Sequence, residues 1–283
     1  MKKVTLLILL SILFTFTCPA QKHVSENPAG KLFIIGGGNR SDAMMNELID
    51  LAGIRSGGYA YILPMASSTP DSAIMWTKED FDAVGFKKVY GFNFQGGITP
   101  PVAQLDSLRN AKLIYISGGD QARFMSVVIK TPVMDALHQA YRNGAVIAGT
   151  SAGAAVMSKN MITGNQKKHP DTETGFITIE SDNVEITEGL GFLTDVIIDQ
   201  HFIKRQRLNR LVAASIENPD KLCVGIDEST AIIVDGDFAT VTGISQVTVI
   251  KNPRGIKIIK DGKLGTEELQ LSVYLPGQKF RLR

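Results

Sequence analysis

The sequence predicts an α/β protein, a mostly parallel sheet with helices on both faces, closed by a C-terminal antiparallel β extension. Two observations carry this. From Lys31 onward, short β-rich runs alternate with stretches of helical length and spacing. After Leu222 the texture changes to β-branched residues broken by Asp235-Gly236 and Asp261-Gly262, dipeptides suited to tight hairpin turns.

The strands are expected, in order, at residues 32–35, 59–63, 88–90, 113–117, 145–148 and 196–199, with a further apolar strand at 222–226. Helices are expected at 42–52, 71–84 and 132–143, and Gly144 stands where a helix C-terminal glycine belongs. No internal repeat, low-complexity tract or linker interrupts residues 21–283, which therefore read as one domain. With 283 residues, 44% of them hydrophobic and 20% charged, the chain has material for a substantial core.

The first twenty residues read as a signal peptide. Lys2 and Lys3 precede an apolar and hydroxyl run over 4–16, followed by Cys18, Pro19 and Ala20. A membrane span needs about 20 apolar residues, and polar Gln21, Lys22 and His23 arrive too early for one, so no stable span is expected. Cleavage before Gln21 places the small residues Cys18 and Ala20 at the minus-three and minus-one positions. Lipoprotein processing at Cys18 is the minority alternative, because Thr15, Phe16 and Thr17 match its small-residue pattern poorly. Removing residues 1–20 takes away two lysines and no acid, so the formal charge of +2 falls to zero and bulk attraction to nucleic acid is not indicated. The mature chain then holds Cys223 alone, read as a buried, inert thiol, and no disulfide.

The strongest local signal is Gly149-Thr150-Ser151-Ala152-Gly153, placed after an apolar strand and before a small-residue stretch that suits a helix. This is G-x-S-x-G in a strand-turn-helix context, where a sharp turn projects the serine and the next N–H, from Ala152, points at a developing oxyanion. A serine needs a base. His23 lies beside the leader, His138 inside a predicted helix and His169 in a polar loop; His201 ends the run Val196-Ile197-Ile198-Asp199-Gln200-His201 and sits at a strand tip, where open α/β sheets place their sites. For the orienting carboxylate, Asp199 and the pair Asp227-Glu228 compete, and spacing does not choose between them.

Gly118-Gly119-Asp120-Gln121 reads as a second strand-tip loop whose glycines allow a ligand close to the backbone. Arg205, Arg207 and Arg210 follow His201, and guanidinium forks there suit a substrate carboxylate. At 100° per residue they do not share one helix face, so at least one acts from the loop before the helix or not at all. With Asp199 and Gln200 beside them, they would offer cations for a free α-carboxylate and an anion for a free α-amine. Gly36-Gly37-Gly38 fails as a dinucleotide motif, since Ser41 occupies the last glycine position and no ribose-binding acid follows. With no P-loop, H-E-x-x-H or Cys/His cluster either, no metal and no cofactor are expected.

Taken together, the glycine loop after the first strand, Gly118-Gly119-Asp120-Gln121, Gly149-Thr150-Ser151-Ala152-Gly153-Ala154, Asp199-Gln200-His201-Phe202 with Arg205, Arg207 and Arg210, and Gly225-Ile226-Asp227-Glu228-Ser229-Thr230-Ala231 resemble the cyanophycinase-like serine peptidases, a group related to aspartyl dipeptidase. The resemblance spans most of residues 31–233. It implies a three-layer fold like the class I glutamine amidotransferases, with Ser151, His201 and Glu228 as nucleophile, base and orienting acid. It also implies an oxyanion hole from the N–H groups of Ala152 and of Gly119 or its neighbour. Gln121, Asp199, Gln200, Arg205, Arg207 and Arg210 would hold a β-linked aspartate, and the protein would be a homodimer. The implied activity is exopeptidase hydrolysis of cyanophycin, an arginine-bearing poly-aspartate, to β-Asp-Arg dipeptides. An aspartyl or isoaspartyl dipeptidase acting on small peptides and a silent exported binding protein are the alternatives. The leader departs from the family's cytoplasmic storage-polymer enzymes.

Export to the periplasm or medium is directly checkable. The intact mass of the recovered protein is expected to begin at Gln21; a lipidated Cys18 terminus, or an uncleaved cytoplasmic chain, would refute the reading.

Overall fold

The structure, a computed structural model, describes residues 30–170 and 175–283, so the leader, the Gln21 terminus and His23 lie outside the described residues. The first half alternates strand and helix: β1 (Lys31–Ile35), α1 (Asp42–Ala52), β2 (Ala60–Leu63), α2 (Pro70–Ala83), β3 (Val89–Gly91), α3 (Val102–Arg109), β4 (Leu113–Ile116), α4 (Gln121–Val128), α5 (Pro132–Arg142) and β5 (Val146–Thr150). Local chemistry sets the helix starts. The Ser41 hydroxyl accepts the Met44 N–H at 3.3 Å, the Asp120 carboxylate accepts those of Ala122 and Arg123, and Pro70 and Pro132 occupy first turns, where a missing N–H costs nothing. Sequence reasoning did not anticipate α3 or α4; Gly118-Gly119 is a loop as expected, but Gln121 already begins a helix.

Five strands run parallel in the order β1-β5-β4-β2-β3. Side-chain alternation then divides the core. Leu32, Ile34, Ile114, Ile116 and Ile147 face one layer with α3, α4 and α5, while Phe33, Ile35, Leu113, Tyr115 and Val146 face the other with α1 and α2. Three layers result, as the resemblance implies.

The second half comprises α6 (Ala152–Ala155), β6 (Asn160–Gln166), β7 (Val184–Glu188), β8 (Val196–Gln200), α7 (Leu208–Glu217) and β9 (Leu222–Ile226), followed by β10 (Thr230–Asp235), β11 (Phe238–Gly243), β12 (Val247–Lys251), β13 (Ile258–Lys260), β14 (Lys263–Gly265), β15 (Gln270–Tyr274) and β16 (Lys279–Arg281). The C-terminal strands are antiparallel, but they complete both sheets rather than hang from one. β10, β11 and β16 extend the main sheet beyond β1. β8 and β9, expected within the main sheet, pair with each other in parallel and form a second sheet, β15-β12-β9-β8. One face of that sheet, with Ile198, Val224 and Val247, joins the main core; the other, with Ile197, Cys223 and Ile250, packs with Leu211 and Ala214 of α7. Asp261-Gly262 makes the tight turn between β13 and β14, both residues having positive φ. Cys223 is free and fully buried, and burial pushes its thiol up to about 12, so it is chemically quiet at neutral pH. Among the described residues no helix is long and apolar enough to cross a membrane.

Candidate active site

Ser151 occupies the single position between β5 and α6. Its backbone sits at φ 54°, ψ −110°, a conformation that side chains rarely adopt and that an active site holds against strain. The flanking glycines are sterically required: a Cβ on Gly149 would lie 2.1 Å from the Gly153 carbonyl oxygen, and one on Gly153 would lie 2.3 Å from that of Ile116. That packing accounts for the G-x-S-x-G spacing.

His201 follows β8 and Glu228 follows β9, so second-sheet strands deliver both to the edge where β5 delivers Ser151. The Ser151 Oγ lies 2.8 Å from His201 Nε2, and His201 Nδ1 lies 2.6 Å from Glu228 Oε1. With Nδ1 carrying the proton toward the carboxylate, Nε2 accepts from the serine hydroxyl. Three successive carbonyls at the end of β1 pin this arrangement. Ile35 accepts the Ser151 N–H at 3.0 Å, Gly36 that of His201 at 2.7 Å, and Gly37 that of Ser229 at 2.8 Å. All three donors belong to residues at positive φ. The glycine run that failed as a nucleotide motif is thus the platform of the site: a Cβ on Gly37 would meet the His201 ring at 2.3 Å, and one on Gly38 would meet the Glu228 Cβ at 2.7 Å.

Beside Ser151, the N–H groups of Ala152, Gly118 and Gly119 have no hydrogen-bond partner among the described residues. A Cβ on Gly118 would touch the Ser151 Cβ at 3.4 Å, whereas Gly119 backs onto the Ala66 carbonyl, so Gly118 is the nearer of the two loop glycines to the nucleophile. A hydrogen-bonded Ser–His–Glu chain next to unused N–H donors is equipped for acyl transfer.

The other candidates are placed elsewhere. His138 bonds the Leu190 carbonyl and His169 pairs with Glu180. Asp227 is a structural residue, its carboxylate accepting the N–H groups of Ile203 and Lys204 and the Ser245 hydroxyl. Burial pushes its pKa up, but the donors outweigh burial and hold it below the ordinary carboxylate range. Burial lowers the pKa of His201; Glu228 opposes this, and Arg205 and Arg207 add to it, leaving the imidazole below its ordinary value.

Arg205 and Arg207 precede α7 and Arg210 lies within it. All three line a cavity of about 220 Å³. Arg207 donates to the Gln200 carbonyl and side-chain oxygen, and burial, with Arg210 beside it, lowers its pKa to about 10. Asp199 is not an open anion for a substrate amine. Its side chain has no exposed surface, and both oxygens are taken by the Arg210 fork. Gln121 is likewise buried, donating to the Ile162 and Thr163 carbonyls. A second cavity adjoins Ser151 and His201 and is lined by Arg40, Trp76, Tyr115 and Thr150. Sequence reasoning passed over Arg40, Trp76 and Tyr115, which no motif marks, and named Thr150 only as a spacer of the serine elbow.

The model of peptidase family S51 matches residues 32–242. The cyanophycinase of a Nostoc species is 33% identical over 238 residues, covering 80% of this chain and 76% of that protein. The cyanophycinase of Thermosynechococcus vestitus is 30% identical over 282 residues, 94% of this chain and 84% of that protein. Among solved structures, a peptidase from an acI-B1 Actinobacterium superposes with a TM-score of 0.66 at 21% identity, covering 89% of this chain and 96% of that one, a likeness of fold.

Two outcomes are expected of the site. Glu228→Gln lowers kcat about a thousandfold or more by leaving the imidazole misoriented, whereas Asp227→Asn lowers thermal stability and leaves kcat within about tenfold; the reverse ranking would reassign the acid. The acid limb of kcat/KM reports neutral His201, so activity rises with pH through a pKa below the imidazole's ordinary value. Arg205→Gln removes a lowering charge and moves that limb to higher pH. High salt moves it the same way in the unaltered protein, since Arg205 is exposed. A pH profile in which the limb stays put or moves down contradicts the electrostatic account.

Proposed function

The chain belongs to peptidase family S51 and is a serine-type peptidase, and from that footing we propose that it hydrolyses cyanophycin to β-Asp-Arg dipeptides through an acyl-enzyme on Ser151. The observation that carries the reading is the cavity lined by Arg205, Arg207 and Arg210, where Asp199 pairs with Arg207 and Arg210 and, among the described residues, no carboxylate pairs with Arg205. Such a site wants an anion. In the polymer each aspartate side chain is joined to the α-nitrogen of an arginine, so every branch ends in a free α-carboxylate, the group guanidinium forks hold best. The names of the curated relatives support the same substrate.

The Ser151–His201–Glu228 geometry supports the following course. His201 Nε2 takes the Ser151 proton as Oγ bonds to the main-chain carbonyl carbon, and the oxygen so charged rests on the Ala152 N–H and a loop N–H from Gly118 or Gly119. The imidazolium, held by Glu228, gives that proton to the main-chain nitrogen as the C–N bond breaks. Water then enters where the amine stood and loses a proton to His201. Its oxygen bonds to the carbonyl carbon, the ester bond to Ser151 breaks, and the proton returns to Oγ. Export and a homodimer belong to the same proposal, the first supported by the leader, the second by the resemblance.

Purified protein incubated with cyanophycin is expected to release β-Asp-Arg and to cut α-linked Asp-Arg far more slowly. Ser151→Ala, which leaves folding intact, loses at least about three orders of magnitude in rate. Cleavage confined to α-linked peptides would overturn the substrate, and Ser151→Ala activity within tenfold of the unaltered protein would overturn the serine mechanism.

A further inference from the structure

The cavity that touches both Ser151 and His201 holds about 260 Å³. The arginine-lined cavity touches neither. Acyl transfer distinguishes the two, because the departing nitrogen takes its proton from His201 Nε2 and must lie on the side of Ser151 that the imidazole faces. The cavity lined by both reacting side chains is therefore on the leaving-group side.

Its walls carry unused chemistry. Tyr115 and Thr150 are 1% and 6% exposed; the two hydroxyls lie near one another, and neither bonds any other group among the described residues. The Thr150 hydroxyl is close enough to favour ionisation of Tyr115 slightly, but burial dominates and pushes the phenol up to about 12, so it remains a neutral donor. Two buried hydroxyls with at most each other for a partner keep hydrogen-bonding capacity that a ligand carbonyl or carboxylate takes up. Arg40 lines the same wall. Its Nε and Nη2 are held by Asp80 at 2.8 and 2.6 Å, while Nη1 makes one long contact, 3.4 Å, to the Gly38 carbonyl. Paired with Asp80, it presents N–H donors rather than an open cation. At the mouth stands Trp76, 53% exposed. A lone exposed aromatic is ordinary on a protein surface, but this indole shares a cavity with the reacting serine.

We infer that this cavity is the subsite for the leaving residue, and that it takes an amino-acid residue whose carbonyl meets Tyr115, Thr150 and Arg40 while a flat cationic side chain, a guanidinium, lies on the Trp76 indole. Indole is the strongest cation–π acceptor among side chains. The guanidinium assignment rests on the proposed substrate, in which the residue behind the scissile bond bears an arginine. The position of the subsite rests only on the Ser151–His201 geometry.

Trp76 is the one tryptophan of the chain, so its emission reports occupancy without turnover. Two experiments test the inference together. Ser151→Ala protein is titrated with β-Asp-Arg and with β-Asp-Ala; a saturable change in tryptophan emission is expected with the first at concentrations where the second gives none. Kinetically, two substrates share a β-Asp-Arg acyl residue but release either a second β-Asp-Arg or ammonia. Trp76→Ala is expected to lower the ratio of their kcat/KM values about fivefold, the size of a partly exposed cation–π contact, and Tyr115→Phe to lower it as well. If the polymer is cut but emission does not respond and the ratios do not move, the subsite is refuted while the substrate stands. If emission responds to β-Asp-Arg but nothing arginine-bearing is cut, the substrate reading fails and the subsite stands. Equal responses to β-Asp-Arg and β-Asp-Ala overturn the guanidinium assignment.

Discussion

The site hangs on the backbone of three residues. Ile35, Gly36 and Gly37 accept in succession the N–H groups of Ser151, His201 and Ser229. Because β1 lies between β5 and β10 in the main sheet, its end is held on both sides, and residues that follow the second-sheet strands β8 and β9 bond to it. Each donor residue has positive φ, a conformation costing about 1–3 kcal/mol for a side-chain-bearing residue. Such costs persist only where the surroundings over-determine the backbone. Here the hydrogen bond, the close approach of Gly36 to Asp227 and of Gly37 to His201, and the flanking strands do so together. The distances within the Ser–His–Glu chain are consequences of that backbone arrangement.

Electrostatics then acts on a fixed geometry. Burial and the neighbouring arginines hold His201 neutral, ready to accept a proton, and Glu228 supplies the opposing field that stabilises the imidazolium once formed. An anion bound among Arg205, Arg207 and Arg210 offsets part of their influence. The imidazole is thus a stronger base with an anion in the cavity than with it empty, and under the proposed mechanism a substrate carboxylate bound there would strengthen the base that deprotonates Ser151.

The strand-helix alternation, the elbow at Ser151 and the strand-tip position of His201 were legible because each leaves a local signature: a run of apolar residues, a glycine spacing, a polar residue ending an apolar stretch. The assignment of β8 and β9 to a second sheet was not legible, since a parallel pair reads identically whichever sheet it joins. α4 was hidden because its cap, Asp120, sits inside a glycine loop that looks irregular. Choosing Glu228 over Asp199 and Asp227 needed the resemblance, because all three carboxylates end apolar strands and only the fold decides which faces the imidazole. Arg40, Trp76, Tyr115 and Thr150 come from separate elements or strand ends; no spacing joins them, and only folding brings them to one wall.

Asp199 shows how far a residue's role depends on burial. Near the end of β8 it reads as an acid for His201 or an anion for a substrate amine. Enclosed, with no exposed side-chain surface, it is instead the counter-charge that allows Arg210 to be buried at all. Removing one partner of such a pair leaves an uncompensated charge and costs about 3–5 kcal/mol. That pair fixes the first turns of α7 against the end of β8, and Arg207, bonded to the Gln200 carbonyl, fixes the residue immediately before His201. Arg207 and Arg210 of the arginine cavity and the His201 imidazole are therefore parts of one packed unit. A change to Arg207 or Arg210 therefore shifts the backbone that carries His201, so on the proposed mechanism substitutions at these two arginines would alter specificity and rate together.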